Sequence, residues 1–318
     1  MRIEVKEMGG LMDASLCTQL AAYGLTITDT SAIYRNFAYN APVVIGKDIL
    51  LQCSKLGAYT YFAPHARLDI GSVGAYSTIS SYCDIGLSGH DLGAFTTNNA
   101  INANTVFDFA TPELKNKRKS SWLLQNQGEF LLPITIGNDV YLEHKVVIPK
   151  GGITIGDGAI IRANTIVTKD IPPYAIVANG ARGSQVVGYR FKEEIIADLL
   201  ELKWWEYDLP SLLKQGFEVP LFDIAAFMEF MREARRLNYP RIAERWRYLM
   251  RDNKQNVVLY DVTPDCQMPI LFPKELNEQT VAQARAEVTR QEHYQLQLQQ
   301  QNIVGQLNGS EGITLQAQ

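Results

Sequence analysis

Residues 136–172 read IGNDVY, LEHKVV, IPKGGIT, IGDGAI, IRANTI and VTKDIP. Each unit opens on an aliphatic residue, in turn Ile136, Leu142, Ile148, Ile155, Ile161 and Val167, and all but the third are six residues long. Six residues suffice for one short strand and the corner that follows it. The aliphatic residue then points inward, and Gly, Asn or Asp relaxes the backbone at the corner. Stacked coils of this kind pair each strand with the one a full turn away, which satisfies the backbone by parallel ladders around a column of aliphatics. The period therefore predicts a mainly β fold, a parallel β-helix of hexapeptide repeats.

The same period occurs earlier in VGAYST, ISSYCD and IGLSGH, opening at Val73, Ile79 and Ile85. LGAYTY and FAPHAR, at Leu56 and Phe62, lie out of phase with these units. Small residues four places after the aliphatic, Thr60, Ser77, Cys83, Ala159 and Thr165, are expected to fill the remaining inward sites. Residues 91–132 interrupt the period with polar, Asn-rich sequence and the basic knot KNKRK at 115–119, and so long a loop within a compact domain is more often functional than accidental.

Outside the coils, residues 12–22 suggest a short helix and 37–53 a β-rich lead into the first coil. From Phe191 the period turns helical, with Ile195, Ile196, Leu199 and Leu200 on one face. Residues 222–231 and 242–249 read as further helices. The expected organisation is an N-terminal segment (1–40), a β-helix domain (41–190), a helical C-terminal region (191–250) and an extension (251–318). That extension holds a polar helix at 274–303, read either as coiled coil or as a solvated, partly disordered helix.

The chain has 318 residues, 46% hydrophobic and 20% charged, in the range of a soluble globular protein. A formal charge of -4 gives no basic excess for a phosphate backbone, so no nucleic-acid partner is expected. Cys17, Cys53, Cys83 and Cys266 form no C-x-x-C pair, and neither a disulfide framework nor a zinc finger is indicated. The opening MRIEVKEMGGLMDASL carries acidic residues and glycines where a signal peptide has its apolar run, and no later stretch nears ~18 uninterrupted apolar residues. A cytoplasmic protein without a membrane span is the expectation.

VTKDIPPYAIV (167–177), YRF (189–191) and LLELKWW (199–205) carry a family likeness, as does VGAYSTISSYCDIGLSGH (73–90), whose histidine opens a long loop. In these motifs the chain resembles the hexapeptide-repeat xenobiotic acetyltransferases, which include the chloramphenicol and streptogramin enzymes, over roughly residues 42–210. The resemblance implies a left-handed coil and a homotrimer with active sites between neighbouring subunits. It also implies direct acetyl transfer from acetyl-CoA to a hydroxyl-bearing acceptor, a small molecule or carbohydrate.

Such a transfer needs a base, because a neutral hydroxyl is a weak nucleophile. Histidine has an ordinary pKa of ~6.5 and suits the task. His90 stands at the family's loop entrance and is the expected general base; His65 and His293 have no such support. By resemblance, the pantetheine of CoA runs past Ala163, with Thr168 and Lys169 near its far end, and His144 sits where related galactoside acetyltransferases have a small residue near CoA. The family closes this groove with a Gly-Asn-Pro-Ala-Lys-like turn. The corresponding ANGARGSQVV here is longer and lacks the proline, and Arg182 is the substitute for the basic residue.

Three further readings stand beside this one. An N-acyltransferase acting on an amino sugar would share fold and cofactor, and a non-catalytic hexapeptide-repeat scaffold would share the fold alone. A zinc hydratase on a β-helix needs three histidines per site, whereas this chain has 4 in all with no paired spacing. No metal is expected.

Overall fold

The computed structural model describes residues 14–33, 36–86, 133–149, 152–181, 183–251, 257–262 and 270–271. His90, Arg182, the loop 91–132 with its basic knot, and the polar helix expected at 274–303 lie outside the described residues.

The hexapeptide units fold as short strands on the three faces of a prism. On the first face Leu25–Ile27, Val43–Ile45, Thr60–Phe62, Thr78–Ile79, Tyr141–Leu142, Ile160–Ile161 and Ala175–Gly180 pair in parallel, in that order. The second and third faces share the bent strands Leu50–Leu56 and Arg67–Val73. Ala32–Ile33, Asp84–Ile85 and Val147–Ile148 complete the second face, and Phe37–Asn40, Thr135–Ile136 and Thr154–Ile155 the third. All six predicted aliphatics from Ile136 to Val167 are buried, as are Val73, Ile79, Ile85, Leu56 and Phe62. The small residues Thr60, Ser77, Cys83, Ala159 and Thr165 are buried among them.

The phase slips have a geometric cause. Leu56 lies beside Val73 and Phe62 beside Ile79, so these coils take 17 residues where three ideal units would take one more. Tyr141 lies beside Ile160, a coil of 19 that contains the seven-residue unit IPKGGIT. The long insertion opens after Ile85, on the edge between the second and third faces, and the coil resumes on the third face at Thr135–Ile136. Parallel pairing begins at Leu25, well before the coil start expected at residue 41.

Left-handed residues turn the corners. His65, Tyr82, Lys145 and Asn164 take φ of 59–65° on the edge between the first and second faces. Tyr59, Tyr76, Asp139, Gly158 and Tyr174 take φ of 53–70° on the edge between the third and first. Glycine is required at Gly158, where a Cβ would lie 2.5 Å from the Tyr174 ring.

Among the described residues, four α-helices accompany the coil: α1 (Ala14–Ala22), α2 (Glu193–Leu202), α3 (Leu209–Lys214) and α4 (Ile224–Arg236). Asp208 and Asp223 accept backbone N–H groups at the starts of α3 and α4. The segment α2–α4 straps the edge between the third and first faces. The Tyr59 hydroxyl donates to Asp208 Oδ1 (2.6 Å), the Tyr76 hydroxyl to the Tyr207 carbonyl (2.7 Å), and Arg190 Nη1 to Asp139 Oδ2 (2.7 Å). Burial pushes the Tyr59 and Tyr76 phenols up, and it raises Asp139 in spite of the Arg190 guanidinium beside it.

The helix expected over 242–249 is absent. Trp246–Arg251 is a strand that pairs antiparallel with Phe37–Asn40 on one side and with Val257–Asp261 on the other, and Ile270–Leu271 adds a further strand. Tyr248, Leu249 and Met250 are all buried in that sandwich, so the open ladder of the third face's first strand overrode any local helical preference.

Candidate active site

Two edges of the prism are left uncovered by the α2–α4 strap, and the four sequence-derived site residues that the structure describes, His144, Ala163, Thr168 and Lys169, fall on them. The described coil breaks off after Gly86 on the edge between the second and third faces, four residues before His90 in the sequence. Thr168 and Lys169 sit on this same edge nearer the C-terminal end of the coil, both exposed, between Val167 and Ile171 of the core. Asp170 accepts the Thr154 N–H (2.8 Å) and fixes that corner to the coil before it.

Ala163 and His144 lie on the other edge, between the first and second faces. Both are exposed, and backbone bonds stack their corners: Asn164 N–H donates to the His144 carbonyl (2.9 Å). The structure therefore joins Ala163 to His144 and Thr168 to Lys169, with the second face between the pairs.

Two residues that sequence reasoning missed hold the Ala163 corner. Glu143 Oε2 accepts the Ala163 N–H (2.9 Å), and its Oε1 pairs with Arg162 Nε (3.2 Å). Asn179 Nδ2 donates to the Asn164 carbonyl (2.5 Å) while its Oδ1 accepts the Ile166 N–H (3.0 Å). Asn179 thereby locks the hairpin of Ala175–Gly180 and Gly183–Tyr189 onto the last coil. The asparagine of ANG was visible in the sequence, but its partners stand 13 and 15 residues away, and no local pattern announces them.

The edge that carries His144 also carries a ring column. His65 stacks on Tyr82 (centroids 5.0 Å apart, 22° between planes), and His144 meets Tyr82 edge-on (5.2 Å, 73°). Asp48 Oδ2 lies 3.2 Å from His65 Nδ1. Among the described residues no three His, Cys, Asp or Glu side chains gather as metal ligands, and no helix is long and apolar enough to cross a membrane.

Inward aliphatics at six-residue spacing and parallel coils of 17–19 residues define a hexapeptide-repeat protein. No protein-family profile matches the chain. The chloramphenicol acetyltransferase of Agrobacterium fabrum is 31% identical over 191 residues, which is 56% of this chain and 87% of that protein. The galactoside O-acetyltransferase of Escherichia coli is 52% identical over 56 residues, 17% of this chain and 27% of its own length. Among solved structures, the hexapeptide-repeat acetyltransferase VCA0836 of Vibrio cholerae, complexed with acetyl coenzyme A, is 19% identical. It covers 47% of this chain and 61% of that one, with a TM-score of 0.27. The chain belongs to the hexapeptide-repeat acetyltransferases of the chloramphenicol acetyltransferase type, and its coil is a parallel β-helix.

Proposed function

We propose that the protein is an acetyl-CoA-dependent O-acetyltransferase that works as a cytoplasmic homotrimer, with His90 as general base in sites between neighbouring subunits. The observation that carries this reading is the similarity to the Agrobacterium fabrum enzyme over 87% of that enzyme's length. In the reaction, the acceptor oxygen attacks the thioester carbonyl while His90 takes its proton. Collapse of the tetrahedral intermediate expels the CoA thiolate, which recovers that proton from the imidazolium. The pantetheine arm runs along the edge that carries Ala163 and His144, and Thr168, Lys169 and Arg182 meet the donor toward its phosphate end.

His90→Ala tests the mechanism, with CoA release followed by a thiol reagent over a panel of hydroxyl-bearing acceptors. Burial pushes the Cys83 thiol up to about 11, so in the native protein it contributes little to that readout. The variant is expected to keep its thermal stabilisation by acetyl-CoA, ~2.7 kcal/mol at a hundredfold excess over Kd, and to lose ~100- to 10,000-fold in turnover. Unchanged turnover would remove His90 from the chemistry. Acetylated product carrying an amide in place of an ester would move the acceptor from hydroxyl to amine.

A further inference from the structure

Left-handed backbone is strained for any residue with a Cβ, so a ring held there at successive coils calls for a reason. On the edge between the third and first faces the reason is visible. Tyr59 and Tyr76 stack at 4.9 Å and spend their hydroxyls on Asp208 and Tyr207 of the helical strap, and Tyr174 is buried beneath it. The edge between the first and second faces repeats the arrangement with nothing of the strap upon it. His65 (φ 65°) and Tyr82 (φ 61°) stack there in the same left-handed geometry, Tyr82 is 51% exposed, and His144 closes the column edge-on.

The neighbours of this column decide what it suits. Asp48 pairs with His65, Arg67 grips Asp84 through Nε (2.9 Å) and Nη2 (3.3 Å), and Glu143 pairs with Arg162. These pairs set both signs of charge beside the rings, and an unsubstituted aryl ring would leave them unused. A ring with one apolar C–H face and a rim of vicinal hydroxyls uses both: the face against the aromatic column, the hydroxyls donating to carboxylate and accepting from guanidinium or imidazole.

We propose that His65, Tyr82, Asp48 and Arg67 form the acceptor subsite and that the acceptor it takes is a pyranose. This rests on the acetyltransferase reading above, since it places the acceptor on the same edge as Ala163 and His144. Methyl β-galactopyranoside is a suitable probe, observed by saturation-transfer NMR on the full-length protein. Transfer to the ring C–H protons is expected in the wild type and in Tyr82→Phe. In Tyr82→Ala, whose exposed side chain contributes little to folding, affinity is expected to fall about ten-fold, with the acetyl-CoA thermal shift unchanged. No transfer in the wild type, or equal transfer in Tyr82→Ala, overturns the subsite. A wild type that binds the galactoside yet shows no acetyl-CoA shift would instead defeat the donor reading and leave this subsite in place.

Discussion

Thr60, Ser77 and Thr165 occupy one chemical niche, the small inward position four places after an aliphatic, and all three are buried. Their hydroxyls fare differently. Thr60 Oγ1 donates to the Gly57 carbonyl (2.7 Å), while Ser77 Oγ donates to the Gly137 carbonyl (2.8 Å) and accepts the Val140 N–H (3.1 Å). Thr165 Oγ1 finds no partner among the described residues. A buried hydroxyl without a partner costs what its desolvation costs, whereas a satisfied one contributes about 1 kcal/mol net. Thr165→Val should therefore raise stability by about 1 kcal/mol and Thr60→Val should lower it by a similar amount. Urea denaturation of the two variants checks this, and equal effects in one direction would show that packing volume rather than hydrogen bonding governs the niche. The sequence announced the niche itself, because its spacing from each aliphatic is local. Which hydroxyl is satisfied depends on corner carbonyls as far as 60 residues away, as for Ser77, and no local pattern carries that.

Among the elements, the helical strap was legible as helices and illegible as a strap. Ile195, Ile196, Leu199 and Leu200 mark an amphipathic face, but the edge they cover is chosen by Tyr59, Tyr76 and Asp139, and the Tyr59–Asp208 bond spans 149 residues of chain. The strand Trp246–Arg251 failed to show for a related reason: Ile242 and Leu249 fall a helical repeat apart, and only the free edge of Phe37–Asn40 decides otherwise. The strap has a pH-dependent latch in Asp208. Desolvation pushes this carboxyl up, but hydrogen bonds from the Tyr59 and Ser211 hydroxyls and the Ser211 N–H outweigh that and hold it below the usual carboxylate range. A folded-state value below the unfolded one contributes stability that is complete above about pH 4 and disappears as the pH falls through the lowered value. Fluorescence of Trp204, which packs on Tyr76 at 5.2 Å, should report strap release over that acid range. Asp208→Asn should flatten the profile, and an acid limb identical in wild type and variant would place the latch elsewhere.

At the scale of the whole molecule, the chain ascends the coil from Leu25 to Tyr189 and then descends along one edge, meeting successively earlier corners. Arg190 reaches Asp139, Tyr207 meets Tyr76, Asp208 meets Tyr59, and Trp246 finally pairs with Asn40 of an early coil. A solenoid built only of neighbour-to-neighbour contacts frays from its ends, since each coil is stabilised by its adjacent coils alone. The ascent is local and repetitive, so the sequence displays it; the descent joins residues far apart in the chain without any period, so the sequence conceals it. The returning strand is the physical difference between a frayable stack and a closed one. It covers the Phe37–Asn40 ladder and buries Tyr248, Met250, Tyr260 and Val262 with Ala38. A chain ending at Glu244 loses that cover. Its amides from Leu25 to Asn40 should exchange with solvent about 30-fold faster, the equivalent of ~2 kcal/mol, a modest share of what burial of four such side chains provides. The later coils from Tyr141 onward should keep their protection, and the thermal transition should broaden as the two ends cease to unfold together. Equal protection of the first coils in both chains would mean that α1 and the coil's own packing hold that end, and that the C-terminal strands are an appendage to it.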